Sequence, residues 1–159
     1  MKKMNNKGFS LVELIIVIAI MAILIVVLAP QYLKYVEKSR NSTDLQNAVE
    51  IVTALQVYAG DPDSTVDPAD GSITISTSDL TVGTTSFAGA ALNEAGLLDN
   101  AGVLHTRRQS KTAWQDYTIA WKVENNGSLT FTYSAIGEQT TGEFSNRMLG
   151  ASASSSAGN

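Results

Sequence analysis

The chain has 159 residues, with eleven Lys or Arg against fifteen Asp or Glu, one His and no Cys. That length suits one domain plus a membrane segment. Setting Lys2, Lys3 and Lys7 aside leaves eight basic residues against the fifteen acidic ones, a balance that argues against a nucleic-acid partner; without Cys, neither a disulfide staple nor a lipoprotein anchor is available.

The first element is apolar. Leu14 to Ala29 is a run of sixteen residues with no polar side chain, and the wider stretch from Phe9 to Pro30 exceeds the ~20 residues that a helix needs to cross a bilayer. Lys2, Lys3 and Lys7 favour a cytoplasmic N-terminal end. Lys34, Lys38 and Arg40 match them on the far side, but long domains translocate largely regardless of charge. A secretory signal would have an apolar core of about 7–15 residues and a small-x-small cleavage site. Here the core is longer, and "QYLKYVEKSRNSTDLQ" continues it as helix.

The periodicity predicts a single helix from about residue 9 to residue 59, ended by Gly60. At 1.5 Å per residue it is roughly 75 Å long. Pro30 lies inside it, removes one backbone hydrogen bond and is expected to kink the axis. Beyond the apolar run, Leu45, Ala48, Val49, Val52, Leu55 and Ala59 recur at three- and four-residue steps and predict one buried stripe. One helix would thus serve two solvents, a bilayer at its start and a protein core at its end.

Residues 60–70, "GDPDSTVDPAD", read as loop, "SITIS" (72–76) as a short strand, and 77–86 as a Ser/Thr-rich loop. "AALNEAGLL" (90–98) predicts a short helix or turn, and 99–113 is polar and irregular. Two strands follow, with Tyr117, Ile119, Trp121 and Val123 alternating in the first and Leu129, Phe131 and Tyr133 in the second. A two-residue turn at Asn126-Gly127 would set Val123 against Thr130. A three-residue loop, Asn125-Asn126-Gly127, pairs Val123 with Leu129, Trp121 with Phe131 and Ile119 with Tyr133, and gathers the apolar groups on one face. Gly127 would supply the left-handed residue of such a loop. A helix on an antiparallel sheet is α+β. The small polar residues 151–159 predict a flexible tail.

The oddity at the head of the apolar run is a carboxylate, Glu13. Were the chain cut between Gly8 and Phe9, the new α-amine would sit at the tip of an apolar helix and Glu13 would be the fifth residue. A buried charge costs roughly 2.5–3.5 kcal/mol at the centre of a membrane helix and less near its end, so each charge gains by meeting the other. A helix directs Glu13 about a turn away from its own N-terminus, which makes the amine of a neighbouring chain the easier partner.

These residues, "KGFSLVELIIVIAI", resemble the class III signal of type IV pilins and related pilin-like proteins. The resemblance covers the basic leader, the Gly8–Phe9 junction, Glu13 and the apolar run. It implies a cleaved leader (1–8), an apolar membrane and assembly half of the helix (9–34), an extracellular head with the pilin fold (35–150) and the tail (151–159). It implies cleavage after Gly8 and N-methylation of Phe9 by a membrane prepilin peptidase, and pairing of Glu13 with an adjacent subunit's N-terminus. The implied partners are further copies of the chain, an assembly platform and an ATPase. The implied role is that of a major subunit of a surface fibre, in adhesion, motility or aggregation, and no enzyme. Many pilins of Gram-negative bacteria close their C-terminal loop with a disulfide, which this chain cannot form. The same leader is shared by type II secretion pseudopilins, minor pilins and DNA-uptake pilins. From a different class, a membrane-anchored extracellular enzyme or binding module remains as an alternative.

Other candidates for chemistry are weaker. His105 is the one histidine, so neither a zinc site nor a Ser-His-Asp arrangement is predicted, and no cofactor is expected. An EF-hand reading started at Asp61 puts Thr65 and Val66 where an acidic ligand and a Gly are required. Arg107, Arg108 and Lys111 form a basic loop that is either solvated or a subunit contact, its natural counterpart being the acidic loop of Asp61, Asp63, Asp67 and Asp70. Trp121 has the phase of a core residue, and Trp114 has no assignable face.

Overall fold

The computed structural model describes residues 10–150, and the chain divides into two compact units between Val36 and Glu37. Helix α1 (Leu11–Gly60) supplies the described part of the first unit after Ser10 and opens the second. The helix continues on both sides of Pro30 and ends at Gly60.

The second unit, the head, adds β1 (Gly71–Ile75), α2 (Phe87–Glu94), β2 (Tyr117–Val123), β3 (Leu129–Ala135) and α3 (Glu143–Met148). The strands form one antiparallel sheet in the order β1-β2-β3. Together with α1 they make the expected α+β architecture. The hairpin register is the one that the apolar alternation requires: Val123 opposite Leu129, Trp121 opposite Phe131 and Ile119 opposite Tyr133. Its loop is closed by Glu124 N to Ser128 O (2.9 Å) and Gly127 N to Glu124 O (2.8 Å), with Gly127 at φ +80°. Tyr117, Ile119 and Trp121 are buried and join Ile73 and Ile75 of β1 in the same core.

The helix side of that core follows a line with steps of three and four residues: Asn41, Asp44, Ala48, Ile51, Leu55 and Tyr58, all buried. The expected stripe shared only part of this line. Val49 is 51% exposed, and Leu45 and Ala59 are only partly covered. Periodicity alone allowed a neighbouring phase because Leu45 and Val49 are as apolar as the residues that pack, while Ala48, Val52 and Leu55 belong to the core as expected. The buried line is rotated from the expected one and continues into polar residues that an apolar count does not register.

Helix α2 starts earlier than 90–98. Ser86 caps it, its Oγ accepting from Gly89 N at 3.1 Å. Gly89 reads as a helix breaker, yet it is needed: a Cβ there would lie 2.0 Å from the Gly83 carbonyl oxygen. Helix α3 was not expected at all. Glu138 caps it, accepting from Gly142 N at 2.6 Å and Phe144 N at 2.8 Å. Phe144 is fully buried, stacked on Tyr117 (4.7 Å between ring centroids) and edge-on to Trp114 (5.3 Å). Backbone bonds complete the C-terminal region: Gln115 N to Ile136 O (2.7 Å), Ile136 N to Asp116 O (2.8 Å) and Gln139 N to Ala113 O (3.0 Å). Aromatic packing and backbone pairing hold this region without a disulfide.

Candidate functional site

Among the described residues the first unit has no buried side chain. Its large apolar side chains from Leu11 to Tyr35 are exposed, from 48% at Val17 to 75% at Leu11. An 18-residue window of α1 has a mean hydropathy of 3.4 with none of it buried. By length and composition this segment is able to cross a membrane. Such a surface is stable only against lipid or against other apolar helices.

At its start the chain makes a local cap. The carboxylate of Glu13 accepts from Ser10 N at 3.2 Å, and Ser10 Oγ accepts from Val12 N at 3.4 Å. This resembles a capping box, Ser and Glu three residues apart satisfying the first free backbone N–H groups. In the uncut chain the carboxylate thus bonds at the start of its own helix. Gly8 and Phe9, the expected cleavage and methylation positions, lie outside the described residues, as does the expected tail at 151–159.

The second cluster of functional polar groups was missed in the sequence. Two carboxylates two turns apart on α1 grip the loop from Gln109 to Trp114. Asp44 is fully buried; its Oδ1 accepts from Gln109 N (2.6 Å), and its Oδ2 from Ser110 N (2.9 Å) and Trp114 Nε1 (3.0 Å). Glu37 uses one oxygen, Oε1, to accept from Ser110 Oγ (2.9 Å), Lys111 N (2.7 Å) and Thr112 N (2.7 Å). Its other oxygen faces Arg40 at 3.5 Å. Burial works against the Glu37 charge, but the Thr112 and Lys111 backbone donors and the Ser110 hydroxyl outweigh it and bring the carboxyl down to about 2. For Asp44 burial wins: it raises the carboxyl above the usual value despite the Gln109, Ser110 and Trp114 donors and the charge of Arg108. Burial, with the Asp44 charge nearby, also pushes the Tyr117 phenol up, so it stays protonated.

The same clamp disposes of most of the expected basic loop. Arg108 is turned inward, its side chain 14% exposed. Its guanidinium donates to Ser110 O, and to Trp114 O at 3.2 Å, and its Nε lies 3.8 Å from Asp116. Arg108 therefore ties down the loop that Asp44 and Glu37 hold, and it is unavailable to a neighbouring subunit. Arg107 is exposed but pairs with Asp79 of its own chain. Of the expected trio, Lys111 is exposed with no ion pair among the described residues. The acidic loop is likewise partly committed: Asp70 Oδ1 accepts from Val123 N at 2.7 Å, and Asp61 Oδ1 from Asp63 N at 2.9 Å. Trp114 and Trp121 are both buried, and His105 is exposed. No group of acidic or His side chains suited to a metal ion occurs among the described residues.

The continued line of α1 marks the carboxylates of the clamp, though not the backbone donors that they hold. Stepping back from Ala48 by four, three and four residues reaches Asp44, Asn41 and Glu37. All three are polar, which hides them from a search for apolar repeats.

Comparison with known proteins falls on the same parts of the chain. Residues 3–29 match the family model described as the prokaryotic N-terminal methylation motif. The chain is 30% identical over 139 residues to the type IV major fimbrial protein FimA of Dichelobacter nodosus, an alignment spanning 80% of this chain and 88% of that protein. No solved structure matches. A methylation motif, a lipid-compatible helix with one carboxylate at its tip and a fimbrial relative matched over most of both chains place the chain in the type IV pilin family.

Proposed function

We propose that this pilin is a major subunit whose arm assembles through Glu13. As a type IV pilin the chain is a structural subunit of a pilus, held in the membrane as a precursor through its apolar N-terminal helix and then carried at the cell surface as a polymer of itself. The finer steps are these. A prepilin peptidase hydrolyses the Gly8–Phe9 bond and the new Phe9 amine is methylated. Residues 9–34 then serve as the membrane and assembly segment, 35–150 as the head and 151–159 as the tail. Pro30 gives the arm its bend, since its ring removes the hydrogen bond to the Val26 carbonyl. An assembly platform and an ATPase drive polymerisation.

The observation that carries this reading is a single carboxylate at the tip of a segment that is otherwise apolar on every face and unburied. In the isolated chain Glu13 is held by a bond of 3.2 Å to Ser10 N. A charged amine would compete with that bond, because two opposite charges attract far more strongly in apolar surroundings than in water. Glu13 would therefore cap its own helix in the membrane and switch to a neighbour's N-terminus in the fibre.

The test pairs mass spectrometry with fibre yield. Mature protein begins at N-methylated Phe9, and Gly8→Val, with a β-branched side chain at the cut, leaves precursor only. Glu13→Ala is inserted and cut normally but recovered in sheared fibres at a small fraction of the wild-type amount. Wild-type yield from Glu13→Ala would remove Glu13 from assembly.

A further inference from the structure

Asn126 is the one asparagine of the chain that precedes a glycine. It stands in the loop between β2 and β3, where residues 124–128 are all exposed. Its side chain is nevertheless held in place. Asn126 Oδ1 accepts from Ser128 N at 3.0 Å and from Ser128 Oγ at 2.7 Å. A side chain that bonds the N–H two residues on has to curl over the residue between them. The carboxamide carbon of Asn126 is thereby kept near the backbone nitrogen of Gly127.

This is the starting arrangement for closing a succinimide ring, in which a backbone nitrogen attacks the carboxamide of the asparagine before it. Two features favour the attack. Gly127 has no side chain to shield its nitrogen, and even a Cβ there would meet nothing within 4 Å, so the ring has room to form. Negative charge collects on Oδ1 as the new bond forms, and Ser128 N–H and Oγ–H already donate to that oxygen, as the donors of an oxyanion hole do. One feature opposes it. Gly127 N donates to Glu124 O at 2.8 Å, and that bond must open before the nitrogen can turn on the carboxamide. The bond lies in an exposed loop, so both of its groups find water when it breaks and local opening is easy.

We propose that Asn126 deamidates spontaneously in the folded head. Gly127 N gives up its proton to water or hydroxide and bonds to Asn126 Cγ. The side-chain nitrogen takes up a proton and leaves as ammonia. Water then opens the succinimide at either of its carbonyls, giving aspartate by one route and isoaspartate by the other. One water is consumed and one ammonia released, and nothing is oxidised or reduced. Either product adds a negative charge two residues from Glu124. Isoaspartate also routes the main chain through the former side chain, which lengthens the loop that sets Val123 opposite Leu129. The head therefore changes its charge and its hairpin loop with age, at one fixed position.

The test is peptide mapping of the full chain in detergent. The protein is incubated at mildly alkaline pH and digested with trypsin, which releases residues 123–147 as one peptide. A growing share of that peptide is expected to exchange NH2 for OH at Asn126. The change is expected as two chromatographically distinct products, aspartate and isoaspartate, and faster as pH rises. Asn125 and Asn146 lie in the same peptide and stay intact as internal controls. Gly127→Ala crowds the attacking nitrogen and slows the reaction several-fold. Ser128→Ala keeps the backbone donor, loses the hydroxyl and is also slower; a rate equal to or above the wild type overturns the part given to the hydroxyl. Conversion to aspartate without isoaspartate overturns the succinimide route. Asn126 that stays intact in the folded chain and reacts only after unfolding in urea overturns the proposal, since the bond to Glu124 O would then hold the nitrogen away.

Discussion

The first and last turns of α1 are both rich in aliphatic residues, yet they behave differently. From Leu11 to Tyr35 the large apolar side chains are exposed on every face. From Asn41 to Tyr58 one line is buried and the remaining faces are wet. The covalent helix is the same, with backbone bonds satisfied internally in both, so the difference lies in where the partner comes from. The head residues find theirs in the same chain, in β1, β2 and the loops. The described arm residues are left exposed and need lipid before assembly and other copies after it. The polar residues tell the same story. In the head, Asp44 is buried because three N–H donors of its own chain meet it. In the arm, Glu13 has one modest local donor and is left with capacity to spare.

The strongest way to break this comparison is to remove the buried acceptor. Asp44→Ala leaves Gln109 N, Ser110 N and Trp114 Nε1 without their partner. Each unsatisfied buried donor costs about 1–3 kcal/mol, against a total stability of about 5–15 kcal/mol for a typical domain. A head fragment starting at Tyr35 is expected to be soluble and folded. The same fragment with Asp44→Ala should lose about 3 kcal/mol or more in urea unfolding followed by tryptophan fluorescence. A change under 1 kcal/mol would show that the loop at 109–114 is held by other means.

A matched pair of leucines sharpens the contrast. Leu55 is fully buried and Leu24 is 52% exposed. Leu55→Ala should cost the head about 2–5 kcal/mol, as buried leucines do. Leu24→Ala should leave head stability within about 0.5 kcal/mol. Both tryptophans lie in the head, so their fluorescence in detergent-solubilised full chain reads head unfolding alone. Equal effects of the two substitutions would mean that arm and head unfold as one body.

These differences explain how much could be read beforehand. The hairpin register was legible because Tyr117 to Val123 and Leu129 to Tyr133 alternate strictly and a glycine stands at the one left-handed position. The apolar arm was legible because nothing but a nonpolar surrounding tolerates such a run. The clamp was not, because Glu37 and Asp44 look like ordinary surface charges of a helix. Their burial depends on backbone donors some seventy positions away (Glu37 to Thr112, for instance), and donors carried by every residue leave no mark in a sequence. Helix α3 was hidden for a related reason: its one buried anchor, Phe144, has meaning only beside Tyr117 and Trp114.

Acid separates the two clamping carboxylates. Glu37 is depressed in the folded head, so its contribution is complete above the ordinary value of 4.5 and is lost as pH falls through about 2. Asp44 is raised, so its ionisation costs the folded state free energy as pH climbs through the usual carboxylate value of 3.8. The two therefore slope in opposite directions. Glu37→Gln should lower the unfolding midpoint of the head at neutral pH by an amount equivalent to about 1.5–3 kcal/mol, the value of hydrogen bonds to a charged group. It should also flatten the decline of stability between about pH 4.5 and pH 2. An unchanged acid slope in Glu37→Gln would assign that slope to other carboxyls.

The smallest effect belongs to the hairpin loop, where the head depends on backbone conformation and not on packing. Gly127 sits at φ +80°, and a Cβ there would meet nothing within 4 Å. Space is therefore no obstacle, and only the left-handed conformation resists a side chain. Gly127→Ala should cost about 1–2 kcal/mol, the usual strain of an L-residue in that region, without altering the register of β2 and β3. Gly127→Asn should cost less, since a short polar side chain tolerates the left-handed well by bonding locally. Urea unfolding of both variants in the head fragment checks the order. Were Asn as costly as Ala, the loop would be constrained by something other than φ. Were Ala silent, the left-handed conformation at 127 would not be what holds the loop between Val123 and Leu129.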